Sequence, residues 1–273
     1  MSGRAIRLGR LLQPTGKAVI VACDHGMFDG PHAGMEDLAA MLPRIGDGAD
    51  GILLSPGMLR HVQAYFGRRE APLPICRLNF NTVFCFHMGY TGSICAPLFR
   101  PEDALAAGAE AVLVCLTLGS ASEATDARNA ELFTELCTAS HRLGLPVIGE
   151  YFPHSHLTKN ADAFQAEIKI GVRMLAELGA DCIKTFYTKD FREVTSTCPI
   201  PIFGLGAEKT PTDYDALRLA EAQMAAGASG VVFGRNAVQA SHPAHFIAAL
   251  QDIVKRGATA ADAAAHHHLT RQQ

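Results

Sequence analysis

Leu178-Gly179-Ala180-Asp181-Cys182-Ile183-Lys184-Thr185-Phe186-Tyr187 takes the chain out of a helix and into a short apolar run closed by a lysine. The glycine ends the helix in a left-handed conformation, and the run after it reads as a buried strand. The same join recurs at Gly48-Ala49-Asp50-Gly51 and Gly227-Ala228-Ser229-Gly230, with Gly108-Ala109-Glu110 as a fourth. Repeated helix-to-strand joins with near-continuous apolar strands indicate a parallel sheet covered on both faces.

Working outward, eight strand signals emerge: Lys17–Cys23, Gly51–Leu54, Pro74–Asn79, Ala111–Leu116, Val147–Tyr151, Cys182–Phe186, Pro201–Leu205 and Gly230–Phe233. Helical patterns follow seven of them closely, from Met35–Ile45 to Pro243–Lys255, and the link after the third strand is long and irregular. Eight such units predict an α/β fold of the (β/α)8 barrel type in one domain. A doubly wound open sheet is the alternative, but the first strand ends in Asp24-His25-Gly26 and not in a Gly-x-Gly-x-x-Gly turn. The core barrel is placed at 17–257. The Ala-rich tail from 258 to 273 is expected to be a loosely ordered helix.

Composition narrows the function. The chain has 273 residues, 48% of them hydrophobic, and a net charge of −3, without a basic stripe or an acidic tail. A small molecule is therefore the expected partner, not nucleic acid or a membrane. Eight cysteines are scattered singly, none in a Cys-x-x-Cys pair, as in reduced cytoplasmic proteins. Met1–Gln13 has arginines but no long apolar core and does not read as a signal peptide. His154 and His156 read as part of a solvated loop and His266-His267-His268 as a surface run, so no metal site and no cofactor are expected.

In a barrel, chemistry sits at the C-terminal ends of the strands. Those ends carry Asp24 and His25, Asn79 and Asn81, Glu150 and Tyr151, and Lys184. A buried amine loses its proton more readily, and a neutral amine attacks carbonyls to form a Schiff base. The other reading is a lysine that snorkels to solvent. Glu150 is an acid/base group or simply the partner of Lys184. Gly204-Leu205-Gly206-Ala207 and Gly234-Arg235-Asn236 close the last two strands, where small residues let backbone approach an anion. Loops after strands seven and eight are the usual phosphate position, so Gly204, Gly206, Ala207, Gly234 and Arg235 are assigned to phosphate.

Together these residues resemble the archaeal-type class I aldolases, a group that includes fructose-bisphosphate aldolase, 2-amino-3,7-dideoxy-threo-hept-6-ulosonate synthase and the autoinducer-2 phosphate thiolase. The resemblance runs from Lys17 to Gly257. It rests on Asp24-His25-Gly26, Gly57-Met58-Leu59-Arg60-His61, Gly179 through Thr185, Cys198-Pro199-Ile200-Pro201, Lys209-Thr210 and Gly234-Arg235-Asn236 with Gln239. The first half looks most like the aminodideoxyheptulosonate synthase branch. The resemblance implies Lys184 as the Schiff-base lysine, Asp24 and His25 at the substrate, and phosphate at the last two loops. It also implies a dihydroxyacetone phosphate-type donor, an aldehyde such as aspartate semialdehyde, and a homo-oligomer built as a pentamer-based ring or decamer.

The family's acid/base tyrosine precedes a proline after strand five, and that position here is Phe152. Glu150, Tyr151 through a bulge, or Tyr187 must substitute, or the reaction needs no tyrosine. The departure weighs against fructose-bisphosphate aldolase activity. It leaves thiolase-like acyl transfer on a phosphorylated dione, and a sugar-phosphate-binding protein without catalysis, as alternatives.

Overall fold

The strands form where the apolar runs place them: β1 (Ala18–Ala22), β2 (Gly51–Leu54), β3 (Leu73–Arg77), β4 (Ala111–Leu116), β5 (Val147–Tyr151), β6 (Cys182–Thr185), β7 (Ile202–Leu205) and β8 (Gly230–Phe233). The structure is a computed structural model that describes residues 2–154 and 160–269. All neighbours pair in parallel, and β1 closes the ring by pairing with β2 through Val21↔Ile52 and with β8 through Val21↔Phe233. The result is a (β/α)8 barrel, with helices between successive strands.

Strand alternation sorts side chains to two faces. Val19, Val21, Ile52 and Ile183 point outward into the shell of helices. Ile20, Leu53, Ile75, Leu113, Ile148, Cys182, Phe203 and Val232 point inward and fill the barrel. The helix Gly3–Leu12 was missed in sequence. Its Leu8, Leu11 and Leu12, at helical spacing, pack on that inner cluster and plug the N-terminal end.

The joins work as expected at Gly108, Gly179 and Gly227, with φ of 107°, 107° and 94°. Before β2 the left-handed residue is Gly46, φ 65°, not Gly48, because the helix Leu38–Ile45 stops earlier than the motif suggests. The aspartate of the motif has its own task. Asp50 Oδ2 accepts from Val19 N at 2.7 Å and Asp181 Oδ2 from Val147 N at 2.9 Å, so each satisfies an N–H in the first two residues of a neighbouring strand.

Two boundaries need correction. The third strand stops at Arg77; Asn79–Asn81 turns away and pairs antiparallel with Cys95–Pro97. In the C-terminal tail the expected helix forms at Ala260–His266, but it is packed rather than loose, with Ala260, Ala263 and Ala264 buried in the core. Among the described residues no helix is long and apolar enough to cross a membrane.

Candidate active site

Each strand that carries chemistry does so two residues beyond an inner core residue. Ala22 leads to Asp24, Ile75 to Arg77, Ile148 to Glu150 and Cys182 to Lys184. One step up the same face, the interior changes from apolar to charged. Arg77 Nε donates to Asp24 Oδ2 at 2.5 Å and its Nη2 to Glu150 Oε2 at 2.5 Å, while Lys184 Nζ lies 2.5 Å from Glu150 Oε1. All four side chains are buried. The Glu150–Lys184 contact follows from register, since the two are paired across β5 and β6.

Arg77 is the residue that the sequence reading passed over. Reading the third strand through to Asn79 put the mouth two residues too far along. Asn79 and Asn81 do not enter the mouth: Asn79 exchanges hydrogen bonds with Cys115 N and O at 2.8 Å, and Asn81 Nδ2 donates to Thr117 Oγ1 at 2.8 Å. The available signal was a charged residue closing the apolar run Leu73-Pro74-Ile75-Cys76.

Burial alone would push the Asp24 carboxyl up, but the charges of Arg77 and Lys184 hold it well below the usual carboxylate range. Burial, aided by the cations Lys184 and Arg235 and opposed by Asp24, pushes His25 down to about 4, so its imidazole is neutral. Burial would favour loss of the Arg77 proton, yet Glu150 and Asp24 keep the guanidinium charged. Four buried atoms around this cavity have no hydrogen-bond partner: Arg77 Nη1, His25 Nδ1, His32 Nε2 and Arg235 Nε. Unsatisfied buried polar atoms are costly, and their convergence marks a place made for a polar ligand. The cavity measures ≈ 640 Å³, within the range of small-molecule sites.

Tyr151 is not at the mouth. Its side chain points outward between β5 and the helix Ala161–Glu177, where its hydroxyl donates to Glu167 Oε1 at 3.2 Å and its ring occupies the space beside Gly171. Burial and the Glu167 charge push the phenol up. The strand has no bulge there, so the assignment of Tyr151 as a catalytic residue is corrected. Tyr187 lies half-exposed against Phe191 and does not line the cavity. Of the three replacements for the family tyrosine, only Glu150 faces Lys184.

On the β7–β8 side, Gly206, Ala207, Gly234 and Arg235 line the cavity. Gly204 does not; it faces outward, where any side chain would meet Gln223 at 2.4 Å. The N–H of Gly206 is already given to Val232 O. Asn236 fastens the two loops, donating to Gly206 O and Glu208 O at 2.9 Å and accepting from Thr210 N at 2.8 Å. Ala207 sits at φ 50°, a left-handed conformation unfavourable for alanine, and its carbonyl accepts from Arg235 Nη2 at 3.0 Å. Gly234 has to lack a side chain, because a Cβ would fall 2.4 Å from the His25 ring.

The cavity is also rich in aromatic residues. Six phenylalanines line it: Phe28, Phe84, Phe86, Phe152, Phe164 and Phe186. Phe152 and Phe186 continue the alternation above Glu150 and Lys184, so the interior of β5 and β6 rises from apolar to charged to aromatic. Phe28 and Phe84 lie over the Arg77 guanidinium at 5.1 and 5.0 Å, which stabilises the buried cation. The phenylalanines are far apart in sequence, and no local pattern announced them.

Other clusters lie elsewhere. A cavity of ≈ 320 Å³ opens at the N-terminal end beside Arg10 and Glu110, which pair with each other at 3.1 Å. His266 and His267 are not a free surface run: both rings bond Asp252 Oδ2, at 3.0 and 2.8 Å, and tie the last helix to the barrel. Those three side chains could together hold a metal ion, but none of them lines the mouth cavity. His154 bonds Ser93 Oγ at 2.9 Å, and His156 lies outside the described residues. Seven of the eight cysteines are buried.

A family model of DeoC/LacD family aldolases matches residues 18–240. The chain belongs to that family. Within it, the chain is 30% identical over 279 positions to 3-hydroxy-5-phosphonooxypentane-2,4-dione thiolase of Escherichia coli K12, covering 99% of this chain and 88% of the relative. It is 28% identical over 261 positions to 2-amino-3,7-dideoxy-D-threo-hept-6-ulosonate synthase 1 of Archaeoglobus fulgidus, covering 93% and 92%. A solved Schiff-base-forming fructose-1,6-bisphosphate aldolase superposes with a TM-score of 0.78 at 26% identity, over 92% of this chain and 99% of that one. As a DeoC/LacD aldolase, the chain is an enzyme of the class I aldolase type.

Proposed function

We propose that this aldolase forms a Schiff base at Lys184 with a phosphorylated ketone of the dihydroxyacetone phosphate type and makes or breaks a C–C bond next to it. The observation that carries the reading is the buried Lys184–Glu150 contact of 2.5 Å at the floor of the mouth. To attack, Lys184 must first lose a proton, and Glu150 is in contact to take it. The amine nitrogen then bonds to the carbonyl carbon, the carbonyl oxygen leaves as water, and the iminium withdraws electrons from the adjacent carbon. In the synthetic direction that carbon loses a proton, and the resulting enamine carbon bonds to the aldehyde carbon. The aldehyde oxygen takes up a proton, and water releases the product from Lys184.

The two carboxylates divide the work. Asp24 is held ionised by Arg77 and Lys184, which suits a fixed acceptor for a substrate hydroxyl. Glu150 bridges Arg77 and the amine, which suits proton transfer in place of the family tyrosine. The phosphate is assigned to Ala207, Gly234 and Arg235, with the unpartnered Arg235 Nε as a donor. Anchoring the phosphate holds the carbonyl at Lys184, and such orientation supplies a large part of a rate enhancement. A homo-oligomeric assembly and a cytoplasmic location belong to the same proposal.

The test is turnover. Dihydroxyacetone phosphate with a panel of aldehydes should give a product whose mass is the sum of the two, and Lys184→Ala should give none. Product formation only in the presence of coenzyme A and a dione would favour thiolase-like transfer instead.

A further inference from the structure

We propose that Asp252, His266 and His267 form a binding site for a divalent transition metal of the zinc class, and that the ion fastens the C-terminal helix to the barrel. The sequence alone reads His266-His267-His268 as a surface run, but the fold gives two of those rings a common target. Among the described residues this is the one group of three metal-ligating side chains whose ligand atoms converge, all within 4.8 Å of one another. The site is independent of the Schiff-base reading, since none of the three lines the mouth cavity.

The convergence is unusual for adjacent residues. Inside a helix, neighbours point about 100° apart and do not face one another. Here the helix stops at His266, and His267 caps it with φ −99° and ψ 14°. At this turn the two rings lie together, their centroids 4.5 Å apart. His266 Nδ1 and His267 Nε2 reach the same oxygen, Asp252 Oδ2, at 3.0 and 2.8 Å. His245 steadies the cap, donating from Nδ1 to His267 O at 3.1 Å. Asp252 is buried and opens a π-helical turn, Asp252–Arg256, a rare form that gathers at functional sites. Arg256 holds its other oxygen, Oδ1, and so fixes the direction of Oδ2.

Two imidazoles and one carboxylate are a zinc-type donor set, whereas calcium and magnesium take oxygen ligands. Zinc bonds of about 2.0–2.1 Å in tetrahedral geometry set ligand atoms roughly 3.3–3.4 Å apart. The two histidine–aspartate separations are close to that spacing, and the His266 side chain, 69% exposed, has room to adjust. A neutral imidazole carries its proton on either nitrogen. The proton now directed at Asp252 moves to the far nitrogen of each ring, and the near nitrogen bonds the metal. Water takes the fourth position. The ion then joins the turn at Asp252 to the end of a helix whose Ala260, Ala263 and Ala264 pack on the core.

The experiment titrates zinc chloride into the full chain by calorimetry, after treatment with EDTA and dialysis. Hydrogen exchange over residues 260–269 is read with and without zinc. The wild type should bind zinc saturably, and exchange there should slow when zinc is bound. His266→Ala and Asp252→Asn should each weaken that binding by about tenfold or more and lose the slowing. The exposed position of His266 keeps the first of these variants folded. His154→Ala, whose ring bonds Ser93 instead, should keep both. No saturable zinc binding overturns the site, and so does equal binding by wild type, His266→Ala and Asp252→Asn, which would place the ion on other histidines. Binding that His266→Ala weakens, but without slower exchange over 260–269, overturns the fastening role.

Discussion

Ile148 and Cys182 lie one step below Glu150 and Lys184, on the same two strands and the same inward face. The lower pair belongs to an apolar layer that fills the barrel, capped beneath by Leu11. The upper pair belongs to a chain of buried charges that runs from Asp24 through Arg77 and Glu150 to Lys184. Burying four ionisable groups is expensive, and a buried ion pair is often no more stable than well-packed apolar replacements. The lower layer packs the barrel interior, and the upper layer, under the proposed function, serves chemistry at some cost to stability.

The largest expected effect breaks that contrast directly. Arg77→Met leaves Asp24 without its guanidinium and removes one of two partners from Glu150, so urea denaturation should show a loss of about 3–5 kcal/mol. Replacing all four charges at once, as Asp24→Asn, Arg77→Met, Glu150→Gln and Lys184→Met, should restore wild-type stability or exceed it while abolishing activity. If the quadruple variant is less stable than Arg77→Met alone, the upper layer is a stabilising element after all.

A smaller effect concerns pH. His25 has its ordinary 6.5 lowered to about 4, so the unfolded state takes up the proton first as pH falls. Its contribution to stability is complete above pH 6.5 and declines toward pH 4, by up to about 1.4 kcal/mol per pH unit. Asp24, whose value is also lowered from 3.8, adds a loss only in more acidic solution, below the usual carboxylate range. Unfolding free energies of wild type and His25→Asn between pH 7 and 4.5 should differ in slope, with the variant flatter. Parallel curves would show that His25 is not held neutral.

The smallest effect sharpens the other direction of alternation. Tyr151→Phe removes a hydrogen bond to Glu167 outside the barrel, for about 1 kcal/mol of stability, and should leave kcat nearly unchanged. A large fall in kcat would mean that the tyrosine reaches the mouth during turnover.

Much of this was legible in the residues because it is periodic. Apolar runs and Gly-Ala-Asp joins marked the strands, and a charged residue closing an apolar strand marked Asp24, Glu150 and Lys184. Arg77 obeyed the same rule but was lost to a boundary, since the apolar Leu78 beyond it carries the strand signal past the point where the strand turns aside. Gly204 was drawn into the site by nearness in sequence, and Tyr151 only through a bulge that the strand does not have; alternation sends both outward. The phenylalanine wall was illegible because its rings come from elements after four different strands, and only closure of the barrel brings them together. The clasp of Asp252 on His266 and His267 is likewise a product of tertiary packing.

Everything proposed for the mouth depends on which amine meets the carbonyl. Dihydroxyacetone phosphate with borohydride, followed by digestion and mass spectrometry, tests this most directly. The adduct should sit on Lys184, vanish in Lys184→Ala and persist in Glu150→Gln. Turnover in that last variant should fall by roughly 10²–10⁴, as expected when a proton-transfer group is lost. An adduct on Lys209, which is paired with Asp213, or no adduct at all, would contradict a Schiff base at Lys184.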